Sequence, residues 1–170
     1  MDYFEFLELP RNLDLDAKNL EKRFYALSRQ LHPDLHSRKS PAEREQAEES
    51  TAVLNDAYRT LRDPIARAEY LLKLEGFDLG EQTTKDVPPE LLEEVFDLNM
   101  AIEDADVDQL ESARARFEGM RMELDAELQQ EFGNWDATHH RGALTTVRGL
   151  LNRRKYITNL IAKANVPDRI

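Results

Sequence analysis

The chain has 170 residues, 34% of them charged and 41% hydrophobic, with a net charge of −11 and no cysteine. That composition suits one soluble domain or two small ones, excludes disulfides and thiolate chemistry, and argues against nucleic acid as a partner, which needs clustered positive charge. No stretch approaches the roughly 20 apolar residues of a membrane span, and Met1 leads into Asp2 and Glu5 without a secretory pattern, so a cytoplasmic protein with no membrane partner is expected.

Tyr3, Phe4, Phe6, Leu7 and Leu9 form a short apolar opening that ends at Pro10. From about Asp16 to Leu31, the spacing of Leu20, Phe24, Leu27 and Leu31 is that of one helix face, with Asp16 as its cap. Pro33 lacks an N–H and disfavours helical geometry at His32, so His32-Pro33-Asp34 falls on an exposed turn. A loop with Asp34, Ser37 and Ser40 follows. Ser40-Pro41-Ala42-Glu43 then reads as a capping box with proline at the first helical position. The helix it opens carries Ala47, Thr51, Leu54, Tyr58 and Leu61 on one face, and two such helices joined by a short loop pack antiparallel to bury their stripes. Asp63-Pro64 repeats the start signal before a shorter helix through Ile65, Ala68, Leu71 and Leu72, which Gly76 closes.

Residues 76–88 hold two glycines, two threonines and a proline, the composition of a linker, although Phe77 and Leu79 imply that it packs against something. Three helical patterns follow. The first runs from about Pro89 to Asp104. The second runs from Asp106 to Phe132, with Val107, Leu110, Phe117, Met120, Leu124 and Leu128 inward. The third runs from Trp135 or Ala137 to Ala164, with Val147, Leu150, Ile157 and Ile161 inward, and Gly133-Asn134 is expected to break it from the second. With no strand-like alternation, the expected fold is all-α: a helical hairpin unit over 1–75, the linker, and a three-helix bundle over 89–170. Residues 86–138 carry 16 acids and 3 bases, whereas 139–170 carry 7 bases and 1 acid. Oppositely charged neighbouring helices account for this without a ligand.

Residues 1–75 resemble a J-domain, the module that activates DnaK-type chaperone ATPases. The resemblance rests on His32-Pro33-Asp34 between antiparallel helices, on the run from Asn55 to Pro64 (NDAYRTLRDP), and on Arg67-Ala68-Glu69-Tyr70. With its acidic three-helix tail, the whole chain resembles the HscB family of iron–sulfur assembly co-chaperones. The resemblance implies an HscA-type (DnaK-like) chaperone partner and delivery to it of the scaffold IscU. It also implies that His32 and Asp34 engage the chaperone. Lys18, Lys22, Arg23 and Arg29, off the apolar stripe of their helix, would meet an acidic chaperone surface, a contact that speeds encounter and weakens with salt. Leu35-His36 departs from the basic residue that many J-domains carry after the motif.

A metal site joining His32 to His36 is disfavoured because Pro33 breaks the helix between them, and no nucleophile or phosphate loop accompanies His32. No metal, cofactor or enzymatic activity is therefore expected; the hydrolysed ATP belongs to the partner. On the 89–104 helix, Leu91, Val95, Leu98 and Ile102 form one stripe, and Leu92, Phe96 and Met100 form a second about 130° away, edged by Glu93, Asp97 and Asp104. Either the helix buries both stripes or the second is an exposed patch with an acidic rim, the anatomy of a binding surface. The family resemblance implies a client surface of Leu92, Phe96, Asp97, Met100 and Asp104, with Tyr156 opposite. A different client, or use of the tail for dimerisation, is the alternative within this fold; an exposed stripe is compatible with a monomer or a weak dimer.

Overall fold

A computed structural model describes residues 1–36, 38–79 and 89–165. Ser37, linker residues 80–88, the tail beyond 165 and the side chains of Pro33, His36 and Leu91 lie outside the described residues. The described residues form seven α-helices and one 3-10 turn, without a strand. They divide into two compact units, Met1–Gly76 and Phe77–Ile170.

The first unit contains α1 (Tyr3–Phe6), α2 (Ala17–Leu31), the 3-10 turn Pro33–His36, α3 (Pro41–Arg62) and α4 (Pro64–Leu74). Local chemistry sets each start. Asp16 accepts from the Lys18 N–H, Ser40 and Glu43 close a reciprocal capping box, and Asp63 accepts from the Ile65 and Ala66 N–H groups. Gly76, at φ 84°, ends the run beyond α4 in a conformation that glycine adopts without strain. Phe4, Leu7, Leu13, Leu54, Leu61, Leu71 and Leu72 are wholly buried between these helices.

Three residues of the Asn55–Tyr70 signature, Tyr58, Arg67 and Tyr70, tie this unit together. Tyr58 stacks on Phe24 of α2 with ring centroids 4.2 Å apart. Buried Arg67 donates to the carbonyls of Leu13 and Leu61, both at 2.7 Å. Tyr70 stacks on Tyr3, whose backbone N–H donates to the Tyr70 hydroxyl at 2.9 Å; burial pushes that phenol above its ordinary range. Next to it, Asp2 accepts from the Arg11 guanidinium at 2.9 and 2.5 Å. Burial raises the Asp2 pKa, but hydrogen bonds from the Glu5 backbone N–H and from Arg11 outweigh it, and the carboxyl ends below its ordinary value.

The second unit contains α5 (Pro89–Glu103), α6 (Val107–Thr138) and α7 (Arg141–Ala164). The acidic stretch of the tail forms α5 and α6 and the basic stretch forms α7; Asp125 and Arg154 join α6 to α7 at 2.6 Å. Phe77 stays in contact with this unit, its ring 4.3 Å below the Arg141 guanidinium.

Two expectations fail here. Gly133-Asn134 does not break α6, which continues to Thr138. A glycine costs a helix about 1 kcal/mol, whereas Phe132 and Trp135, both buried, extend the inward line of Leu124 and Leu128 through the same stretch. The break comes at His139, at φ 50°, whose N–H donates to the Trp135 carbonyl; His140 then caps α7 by accepting the Gly142 N–H on Nδ1. Val107 is not inward but 72% exposed. At about 100° per residue it lies some 80° off the direction of Phe117.

α5 is thinly seated. A cavity of about 320 Å³ is lined by Glu90 and Glu94 of α5, Met120, Glu123, Leu124 and Glu127 of α6, and Arg153 and Ile157 of α7. Another of about 390 Å³ lies where α5 turns into α6, between Leu98, Ile102 and Phe117.

Candidate functional site

α2 ends at His32 because Pro33 cannot supply the next helical N–H. The chain then tightens into the 3-10 turn, closed by the Leu35 N–H donating to the His32 carbonyl at 3.0 Å. The Thr51 hydroxyl of α3 lies 3.2 Å from the Leu31 carbonyl and 2.8 Å from that of Ala47, tying the end of α2 to its partner helix. His32 Nδ1 accepts the Asp34 backbone N–H at 3.2 Å. The same Nδ1 lies 3.5 Å from the Asp34 carboxylate, so the two side chains stand side by side on the turn. The Asp34 side chain is 90% exposed and that of His32 55%. The hydrogen-bonded turn thus presents one carboxylate and one imidazole to solvent.

Lys18, Lys22 and Arg29 are exposed. Together with Tyr25, 54% exposed, they follow a four-three-four spacing that continues in three more residues to His32. The four groups form one cationic line with an aromatic centre, leading to the turn. Arg23 departs from the expected set. Its guanidinium donates to the Leu7 carbonyl at 3.0 Å and to the Glu8 carboxylate, so it fastens α2 to the segment after α1. The sequence reading missed Tyr25, although the spacing places it on the line. Leu35, 64% exposed beside Asp34, and Thr51, seen only as a core residue, were also passed over as parts of this site.

On α5 the two stripes separate. Ile102 is buried and Val95 and Leu98 are half-buried, whereas Phe96 is 64% and Met100 52% exposed, with Leu92 half-buried beside them. The second stripe therefore remains open. Asp97 and Asp104 are exposed, and Tyr156 on α7 is half-buried. Helix α5 runs parallel to α7: Glu90 and Arg153 line the same cavity, and nearer the other end Lys163 bonds to Asn99 at 2.6 Å. That register sets Tyr156 level with the Leu92 end of the patch.

An exposed turn carrying His32 and Asp34 on an antiparallel hairpin, followed in the same chain by a helical unit with an open apolar stripe, defines a J-domain protein with a second, all-helical unit. Residues 2–70 match the DnaJ domain, and residues 87–165 match the HSCB C-terminal oligomerisation domain. The mouse iron-sulfur cluster co-chaperone protein HscB is 29% identical over 162 residues, 95% of this chain and 67% of the relative. Among solved structures, chaperone HscB from Vibrio cholerae aligns with a TM-score of 0.70 at 29% identity, covering 96% of this chain and 95% of that one. The human co-chaperone protein HscB aligns with a TM-score of 0.72 at 27% identity, over 96% and 80% respectively. The chain belongs to the HscB family.

Proposed function

We propose that this protein is a non-enzymatic cytoplasmic co-chaperone of iron–sulfur cluster assembly, which stimulates the ATPase of a DnaK/HscA-type chaperone and delivers to it an IscU-type scaffold. The names of its mouse and human relatives, iron-sulfur cluster co-chaperone proteins, support the role. The observation that carries it is that one chain holds two unlike exposed surfaces on separate units: a cationic line ending at Asp34, and an apolar stripe at Phe96 and Met100. The first suits an acidic chaperone surface and the second an apolar client. Joining them covalently raises the effective concentration of client at the chaperone without requiring a new contact. His32 and Asp34 act by favouring the hydrolysis-competent state of the partner, since a shift in the partner's equilibrium needs contacts that differ between its states.

The test is the ATPase rate of an HscA-type chaperone with this protein, with an IscU-type scaffold, and with both. Together they should exceed the sum of their separate effects. Asp34→Asn should abolish the whole stimulation, and Phe96→Ala only its synergistic part. A rate indifferent to the scaffold at every concentration would defeat the client half of the proposal.

A further inference from the structure

The apolar patch on α5 has two edges, and they differ in charge. Viewed down α5 at about 100° per residue, Glu93 and Asp97 lie about 60° and 100° to one side of Phe96. Asn99 lies about 60° to the other side. Its Nδ2 donates to the Val95 carbonyl of its own helix at 2.9 Å, which orients the amide, and its Oδ1 accepts from Lys163 Nζ of α7 at 2.6 Å. Lys163 follows Tyr156 by seven residues, two helical turns, and so stands on the same line of α7. Among the described residues, this ammonium is held by a neutral amide alone. Its charge is therefore not cancelled, and two of its three N–H donors remain for a partner.

We propose that Lys163 is a specificity-determining residue of the client surface, binding a carboxylate on the scaffold while Asp97 and Glu93 across the patch face a cation. This rests on the reading of α5 as the client surface and adds to it the chemistry of the partner: an apolar centre with an acidic group on one flank and a basic group on the other. Apolar contact alone is non-directional. A rim of uniform sign would admit the client in either orientation, whereas a rim of split sign penalises the reversed one by setting like charges together. Asn99 is the positioning residue that keeps the lysine at the edge of the patch.

Titration of an IscU-type scaffold into the full chain tests this, comparing wild type with Lys163→Gln, Lys163→Glu and Phe96→Ala. Removing the charge should weaken binding about fivefold, and reversing it about twentyfold. Both deficits should shrink at high salt, because rim charges are screened. Lys163→Gln should melt close to wild type, Lys163 being exposed. Lys163→Glu should melt slightly lower, because it places an acid in the last turn of α7. The salt-dependent loss of binding in Lys163→Gln therefore separates the two effects. Wild-type affinity in Lys163→Glu, alongside a clear loss in Phe96→Ala, would overturn the role of Lys163 and leave the client surface standing. Wild-type affinity in Phe96→Ala would instead remove the surface itself.

Discussion

Truncating Phe96 to alanine is the sharpest separation of client binding from folding that this structure offers. A phenylalanine that is fully buried removes about 150–250 Å² from water. With 64% of Phe96 exposed, about 130 Å² remains for a client to cover, worth about 3 kcal/mol at about 25 cal/mol per Å². Alanine keeps a small part of that area, so the expected loss is about 2–3 kcal/mol, a Kd raised about 30- to 150-fold. The cost to the fold is smaller. The ring already gives up little area to its own bundle, and alanine is the better helix former by about 0.5 kcal/mol, so stability should fall by about 1 kcal/mol. Calorimetric titration of the scaffold into the full chain gives the first quantity, and thermal denaturation of the same variant gives the second. A change in Kd below threefold, or a loss of stability as large as the loss of binding, would refute the argument, because either result places the ring inside the bundle's own energetics.

Asp34→Asn should abolish stimulation of an HscA-type ATPase and leave the melting temperature unchanged, since this carboxylate is almost wholly exposed; an assay of basal and stimulated turnover checks the first, and a melt the second. The Asp2 carboxyl is held below its ordinary value of 3.8 in the folded chain, so the stability it contributes is complete above that value and is lost as pH falls through the lower, folded one. Asp2→Asn should therefore melt earlier than wild type at neutral pH, and the gap should close on the acid side, as followed by melts between about pH 7 and pH 2. Gly133 is helical, and a Cβ there meets nothing within 4 Å, so Gly133→Ala should stabilise the chain by about 0.5–1 kcal/mol in denaturant titrations.

Features written in neighbouring residues were legible in the sequence. Asp16, Ser40 with Glu43, and Asp63 each cap the helix that they announce, because a cap needs only a side chain and an N–H two or three residues on. The doubled stripe of α5 was also legible, as an angle between Phe96 and Val95 that one buried face cannot span. Features decided by distant partners were not. Arg23 looks like its basic neighbours on α2 until Leu7 and Glu8 claim it. Thr51 reads as a core residue until its hydroxyl reaches the end of α2. At Gly133 the local signal was real, but burial of Phe132 and Trp135 was worth more than the glycine cost, and the true corner fell on two histidines, neither a favoured capping residue.

The clefts that flank α5 bear on how a client held on the proposed patch would be let go. With about 320 Å³ of space on one flank and about 390 Å³ near its end, α5 forgoes many of the close contacts that anchor a helix. A helix seated in this way is expected to open at lower free energy than the paired α6 and α7, which faster amide hydrogen exchange in α5 would register. Detachment of such a client would then not wait for every patch contact to break at once against a stiff wall, because the wall could yield first. For a client held on the proposed patch, dwell time would then depend on how firmly one helix is seated, and a methyl group added beside Leu124 or Ile157, away from Phe96 and Met100, would lengthen it.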